Sequence, residues 1–177
     1  MCIRDSLYGM VTGKSWVLVP ETVKFNLVGK LPEGVYARDL ILTIIGTIGA
    51  NGCNYQVMEF TGEGAKTLSI SERMVLCNMA VEAGAKTGIF EPDEKAIEYL
   101  KAHGRKPKAL FTSDPDAVYA REYTFDLSKI RPVVAKPDFV DNLVPAEEVR
   151  GVKIDEAFLG SCNNGRIEDL RVGASII

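Results

Sequence analysis

The 177-residue sequence has one histidine, one tryptophan and four widely spaced cysteines. The cysteines, at positions 2, 53, 77 and 162, lack the pattern of a disulfide framework, so we expect a reducing compartment, the cytoplasm. No apolar run approaches the roughly 20 residues that span a bilayer, and no basic cluster indicates a nucleic acid partner. A net charge of −3 and 46% hydrophobic residues are typical of a globular protein.

The two ends of the sequence do not resemble the ends of a domain. Residues 1–6 match no signal-peptide pattern, and we interpret them as a non-native scar. Residues 174–177 stop within a helical pattern, without the glycine or proline that commonly ends a helix. We therefore expect an internal fragment of a longer protein, truncated at both ends.

Strand-like and helix-like periods alternate along the chain, which predicts an α/β fold of short sheets flanked by helices. We expect one compact α/β lobe over residues 7–123. Three prolines then interrupt an extended linker, so we expect residues 124–177 to be this linker and the beginning of a second α/β lobe. The predicted strands are 23–28, 55–60, 87–90 and 123–128, and the predicted helices are 36–48, 72–83 and 94–102. Ser71 is the predicted N-cap of the second helix, and Gly84 is its predicted stop. Asp93 is the predicted cap of the third helix, whose residues 97, 99 and 100 are expected to be buried.

Residues 157–171, AFLGSCNNGRIEDLR, are the most informative stretch. Residues 157–159 predict a short buried strand, residues 160–165 a tight turn, and Ile167 with Leu170 the start of a helix. Cys162 then lies in a turn before a helix N-terminus, where free N–H groups and the helix dipole favour the thiolate. Such a thiolate is either a metal ligand or a nucleophile.

The segment GSCNNGRIEDLR closely resembles the GSCTNGRIEDLR signature of the aconitase superfamily, with Asn163 where threonine is usual. Within that superfamily it looks most like the large subunits of 3-isopropylmalate dehydratase and homoaconitase. Residues 24–35, 39–42 and 72–85 resemble the same family. The resemblance implies an aconitase-like three-layer α/β lobe.

The resemblance also implies a 4Fe–4S cluster held by three thiolates, of which Cys162 is the first. Asn164 is implied as a further cofactor-binding residue. Asn78 and Glu82 match the second family signature, whose asparagine and glutamate lie beside the cluster and whose glutamate bonds the water or hydroxyl on the open iron. From spacing alone, Asn78 and Glu82 would be read as an exposed helical pair. Cys77 is expected to be a small packed residue and not a fourth ligand.

The activity implied is that of a hydro-lyase that dehydrates and rehydrates a hydroxy-di- or tricarboxylic acid. The ending GRIEDLR favours 3-isopropylmalate, in leucine biosynthesis, with homoaconitase and aconitase as alternatives. The family places the other two thiolates in a downstream Cys-x-x-Cys motif. It places the base and a carboxylate-binding arginine on a swivelling domain, which in isopropylmalate dehydratases is a separate small subunit. We therefore expect this chain alone to be inactive.

Other classes of function remain open from the residues themselves. A thiol hydrolase or acyltransferase could use Cys162, but it needs a base, and the one histidine, His103, lies beside Gly104 in a helix-ending context. Residues 62–67 look like part of a phosphate-binding loop, yet Ala65 precedes the lysine where that motif needs glycine, and no clear parallel strand leads into it. A non-catalytic structural fragment is the third possibility.

Overall fold

The computed structural model describes residues 3–177, without the side chains of Arg4 and Asp5. Met1 and Cys2, the first two residues of the predicted scar, lie outside the described residues. The helices are α1 (Ile3–Thr12), α2 (Ala37–Ile48), α3 (Glu63–Thr67), α4 (Ile70–Met79), α5 (Glu94–Ala102) and α6 (Ile167–Ile176). The strands are β1 (Thr22–Val28), β2 (Val57–Thr61), β3 (Thr87–Phe90), β4 (Arg121–Asp126), β5 (Val133–Ala135) and β6 (Leu143–Pro145).

A four-stranded parallel sheet in the order β3-β2-β1-β4 organises the fold. The predicted α/β class is confirmed, because helices separate successive parallel strands. Two of these helices, α2 and α4, pack against each other. Burial alternates along β1, where Val23, Phe25 and Leu27 are fully buried. The alternation read from the sequence therefore marks the core face of this strand correctly.

The apolar face of α2 packs on the side of the sheet to which the buried residues of β1 point. Leu40, Ile41, Ile44 and Ile45 are fully buried there and belong to the same core cluster as the β1 residues. Their spacing places them on one stripe of the helix, which is why α2 packs without burying a charge. This core holds the helices on which, or beside which, the candidate functional residues lie.

Helix α4 begins earlier than the sequence prediction placed it. Its N-cap is Ser69, whose hydroxyl accepts from the Glu72 N–H at 3.2 Å while the Glu72 carboxylate accepts from the Ser69 N–H at 2.6 Å. This reciprocal pair satisfies two free backbone donors, so Ser69 displaces the predicted Ser71 cap. At the other end the helix tightens into a 3₁₀ turn, Ala80–Ala83, and Gly84 stops it at φ +79°, as predicted.

We expect Ser69→Ala to lower the free energy of unfolding by about 1 kcal/mol, because it removes an N-cap acceptor. Ser71→Ala is the matched control, since the Ser71 hydroxyl makes one long contact, 3.4 Å to Glu168. Its expected cost is within about 0.5 kcal/mol. Urea unfolding of the two variants measures the difference, and an equal or larger cost for Ser71→Ala would contradict the assignment of the cap.

Residues 62–67 follow a parallel strand, contrary to the sequence expectation. Strand β2 ends at Thr61, and Gly62 follows it at φ +92°. A side-chain carbon on Gly62 or Gly64 would collide with the Leu27 main chain, so both glycines permit close packing of α3 on β1. This packing accounts for both glycines, so no bound phosphate is needed to explain them. The five-residue helix α3 is a plain loop-to-helix connection.

Helix α5 has the predicted bounds and the predicted Asp93 cap, whose carboxylate accepts from the Ala96 N–H at 3.1 Å. The same carboxylate pairs with buried Arg73 of α4 at 2.5 Å, and this hydrogen bond holds the pKa of Asp93 below its ordinary value. His103 and Gly104 end the helix, with His103 Nδ1 2.8 Å from the Tyr99 carbonyl. The prediction that residues 97, 99 and 100 are buried is wrong, because α5 lies at the rim of α4 and has no buried residue.

The chain after residue 123 stays attached to this sheet at first. Strand β4 pairs with β1 through Asp126, so the predicted boundary at 123/124 falls inside a strand, and Leu127 and Ile130 are buried in the core. The stretch expected to be a linker forms an antiparallel pair, β5 with β6. That pair is fixed to α2, because the Val133 N–H donates to Asp39 Oδ1 at 3.0 Å. Beyond it, residues 150–166 contain no strand or helix among the described residues.

Candidate functional site

Cys162 lies in an exposed turn, as predicted, but its flanks differ from the prediction. Residues 157–159 form no strand, and the Phe158 side chain is 80% exposed. Among the described residues, no strand lies beside this segment. Its backbone therefore has no hydrogen-bonding partner with which to form a sheet. The turn spans residues 161–163, with Ser161 at φ +80°, and α6 begins at Ile167, five positions after the cysteine.

The turn brings Cys162 to α4. Its Sγ lies 3.7 Å from Asn78 Oδ1, although the two residues are 84 positions apart in the chain. The thiol donates to the amide oxygen at this distance, and both side chains are exposed to solvent. Two of the residues singled out in the sequence are therefore brought together.

Glu82 lies near the end of the same element as Asn78, but not on a continuous α-helix. The backbone tightens to a 3₁₀ turn from Ala80, so Asn78 lies on α4 and Glu82 on the turn that follows it. The Glu82 side chain is exposed. The hydrogen bonds found among the described residues join Asn78, but not Glu82, to Cys162.

A network of side chains shapes the turn, and it centres on Asn164. The Asn164 amide accepts from Arg38 Nη1 at 3.3 Å and donates to Asp169 Oδ1 at 3.0 Å. Asp169 Oδ2 accepts from the backbone N–H of Arg166 at 3.0 Å, which caps the start of α6. Sequence reasoning missed Arg38 and Asp169. An acidic residue three positions after the cap could have identified Asp169, but no local pattern identifies Arg38.

A cavity of ≈ 560 Å³ lies on the other side of this turn. Its wall combines apolar side chains of the 158–159 segment and of α6 with the polar residues Arg38, Ser161 and Asn164. Cys162 does not line it. Asn163, which stands where the related signature has threonine, bonds within the turn, accepting from the Ser161 hydroxyl at 3.1 Å.

The other described cysteines lie in environments unlike that of Cys162. Burial raises the pKa of the Cys77 thiol to about 11. Burial also raises the pKa of Cys53, an effect that the nearby Arg121 charge partly opposes. Both environments disfavour the thiolate that a metal requires, which supports the packing role expected for Cys77.

The donor set fits one corner of an iron–sulfur cluster. Among residues 3–177, no group of three or more His, Cys, Asp or Glu side chains could hold a metal ion. A 4Fe–4S cluster of the implied kind needs three thiolates, and the described cysteines offer one exposed thiol. An exposed thiol beside an amide suits a ligand that is completed by other residues.

Comparison with known proteins places this geometry in context. A model of the aconitase family (aconitate hydratase) matches residues 5–150. The chain is 51% identical over 166 residues to 3-isopropylmalate dehydratase large subunit 1 of Methanopyrus kandleri, covering 94% of this chain and 40% of that protein. It is 50% identical over 173 residues to the 3-isopropylmalate dehydratase large subunit of Heliobacterium modesticaldum, covering 98% and 41%.

A third relative carries a different name. The chain is 48% identical over 178 residues to the probable methanogen homoaconitase large subunit of Methanothermobacter thermautotrophicus, covering 100% of this chain and 41% of that protein. In all three cases, the chain spans about two fifths of the relative's length.

Proposed function

We propose, since this chain belongs to the aconitase family, that it is part of the large subunit of a 4Fe–4S hydro-lyase. The reaction proposed is the reversible dehydration of a hydroxy-dicarboxylic acid, with 3-isopropylmalate as the substrate and leucine biosynthesis as the pathway. Relatives of 50% and 51% identity carry the name 3-isopropylmalate dehydratase large subunit, which supports this choice.

One observation carries the proposal: Cys162 Sγ lies 3.7 Å from Asn78 Oδ1. Two separate signatures, one on α4 and one before α6, thereby meet at one place on the surface. The alternative of a non-catalytic structural fragment does not explain why an exposed thiol and an exposed amide, distant in sequence, lie in contact. The proposal assigns Cys162 as a cluster ligand, and Asn78 and Asn164 as residues that orient it.

The proposed roles of these residues follow from their chemistry. When bound, the cluster supplies a Lewis-acidic iron that helps hydroxide to leave. Cys162 would hold one corner of that cluster, and the Asn78 amide would keep the sulfur in place. Glu82, an exposed carboxylate one 3₁₀ turn beyond Asn78, would accept a proton or orient a water at the open side.

The remaining parts of the proposed enzyme lie outside these residues. The relatives are named large subunits, which supports a small-subunit partner. The proposal places the base on a swivelling domain of that partner, as the resemblance to the family implies. Within residues 3–177, no helix has both the length and the apolar character needed to cross a bilayer. We propose a cytoplasmic location because the cysteines indicate a reducing compartment.

A thiol-nucleophile enzyme is the second candidate, and one observation favours it: Cys162 is exposed and chemically accessible. The described hydrogen bonds give it an amide oxygen as its partner, whereas a nucleophile needs a base. The His103 ring bonds instead to the Tyr99 carbonyl at the end of α5. This candidate is therefore less well supported than the hydro-lyase.

Anaerobic reconstitution with iron and sulfide tests the proposal in two chains. The 177-residue chain should give no stoichiometric cluster absorbance, because it offers one exposed thiol and a cluster needs three thiolates. A chain extended through a downstream Cys-x-x-Cys motif and mixed with a small subunit should turn brown and hydrate 2-isopropylmaleate.

Citrate and homocitrate serve as competing substrates in the same assay. A preference for homocitrate would move the assignment to homoaconitase. A stoichiometric cluster in the 177-residue chain would refute the expectation that this chain supplies only one of the three thiolate ligands. Failure of the extended chain to bind iron, together with rapid acylation of Cys162 by a thioester, would favour the nucleophile.

A further inference from the structure

The turn that carries Cys162 has few attachments to the body of the protein. Neither residues 160–166 nor α6 contain a buried residue. In the described part of the chain, three side-chain hydrogen bonds join residues 160–177 to the rest: Cys162 to Asn78, Ser71 to Glu168, and Arg38 to Asn164. With so little burial, these polar contacts decide where the cysteine sits.

The hydrogen bond from Arg38 is the one that connects to further hydrogen bonds beside the turn. Arg38 Nη1 donates to Asn164 Oδ1 at 3.3 Å, and the other end of the same amide donates to Asp169 at 3.0 Å. Asp169 in turn accepts from the Arg166 N–H. A continuous series of hydrogen bonds therefore runs from α2 to the start of α6. The Ser71 contact is of similar length, 3.4 Å, but it ends on the Glu168 side chain of α6 and does not reach the turn.

The backbone of Arg38 is held in a fixed place, while its side chain is exposed. Arg38 lies in the first turn of α2, directly after buried Ala37 and two positions before the core residue Leu40. The helix start is fixed further by the Asp39 carboxylate, which accepts from the Tyr36 N–H at 3.0 Å. The guanidinium thus projects from a rigid helix towards a segment that has no burial of its own.

We infer that Arg38 is a positioning residue, which holds residues 161–166, the turn and its connection to α6, against α2 and so keeps Cys162 beside Asn78. The inference rests on the proposed function for the reason that Arg38 matters: a cysteine that binds a cluster must be held at a fixed place. The contacts themselves lie within this chain, so the test needs neither iron nor substrate. A charge-assisted hydrogen bond suits the role, because it is stronger than a neutral one.

Disulfide trapping measures the proximity directly. An Asn78→Cys variant, in a Cys2→Ser, Cys77→Ala background, places a sulfur about one bond short of the present Asn78 Oδ1, where a rotation brings it to Cys162. Oxidised glutathione starts the reaction, and peptide mass mapping follows the 78–162 cross-link. We expect Arg38→Ala to slow cross-linking roughly three- to tenfold, the range for the loss of one such hydrogen bond.

Matched variants separate positioning from a general loss of structure. Arg105→Ala removes an exposed arginine beyond α5 and should leave the rate unchanged. Arg38→Lys keeps the cation and should restore most of the rate. Asn164→Ala breaks the same link from its other end and should slow cross-linking by itself. The Arg38→Ala, Asn164→Ala double variant should be no slower than either single variant.

Two results would overturn the inference: equal rates for Arg38→Ala and Arg105→Ala, or no cross-link at all in the Asn78→Cys chain. The first leaves the proposed function untouched. Conversely, the expected cross-linking rates combined with an extended chain that binds no iron would refute the proposed function and leave the role of Arg38 standing.

Discussion

Cys162→Ala in a chain extended through the remaining thiolates is expected to abolish cluster assembly and, with it, turnover. The proposed cluster needs three thiolates, and Cys162 is the exposed cysteine among the described residues. Metal-ion catalysis contributes several kcal/mol of transition-state stabilisation, so the loss should be on the order of a thousandfold or more. Iron content, visible absorbance and hydration of 2-isopropylmaleate measure the three consequences.

Cys77→Ala is the matched control for that experiment. Cys77 neighbours Asn78 in sequence, but burial raises the pKa of its thiol to about 11, and it should not bind iron. We expect this variant to retain its cluster, with at most a modest loss of stability. Retention of a full cluster in Cys162→Ala, or loss of iron in both variants to the same extent, would contradict the assignment of the ligand.

Phe25→Ala is expected to lower the free energy of unfolding by about 3–5 kcal/mol. Phe25 is fully buried at the centre of the parallel sheet, with ring centroids of Phe60 and Tyr123 at 5.6 and 5.4 Å and that of Phe125 at 6.3 Å. Truncation removes the contacts between three neighbouring strands and leaves a cavity that the strands cannot close. Chemical denaturation followed by circular dichroism measures the effect.

Phe111→Ala provides the comparison, because that ring is 83% exposed. Its expected cost is within about 0.5 kcal/mol. If the two substitutions cost the same, the sheet centred on β1 would not be the stabilising core of this chain.

The sequence predicted the elements of this core because local pattern and burial agree there. The strands over 22–28 and 87–90, helix α2 and the Asp93 cap of α5 all carry short-range signals, namely alternation, an apolar stripe and a capping side chain. The boundary near residue 123 could not be read in this way. Leu127 and Ile130 are buried in the same core cluster as residues of β1 and α2, far away in sequence, so local pattern alone does not place the boundary.

The candidate site shows the same division between local and distant information. The turn at Cys162 was predicted from glycine and amide residues, and the resemblance to a family singled out Asn78 and Glu82. The strand predicted over 157–159 was wrong, because an apolar run becomes a strand only where a partner strand lies beside it. Arg38 acts across 126 positions of sequence, so its contact with Asn164 is visible only in three dimensions.

The uneven burial around Cys162 has a consequence for how the protein would acquire iron. Asn78 lies on α4, which packs against α2 and β3, whereas Cys162 lies in a C-terminal segment, residues 160–177, that has no buried residue. Part of the binding free energy of the proposed cluster would then be used to immobilise that segment, so that metal ligation and ordering would be one thermodynamic event. Substitutions far from any sulfur should consequently weaken iron retention if they loosen this C-terminal segment. Low iron occupancy in a variant would then not by itself identify a damaged ligand.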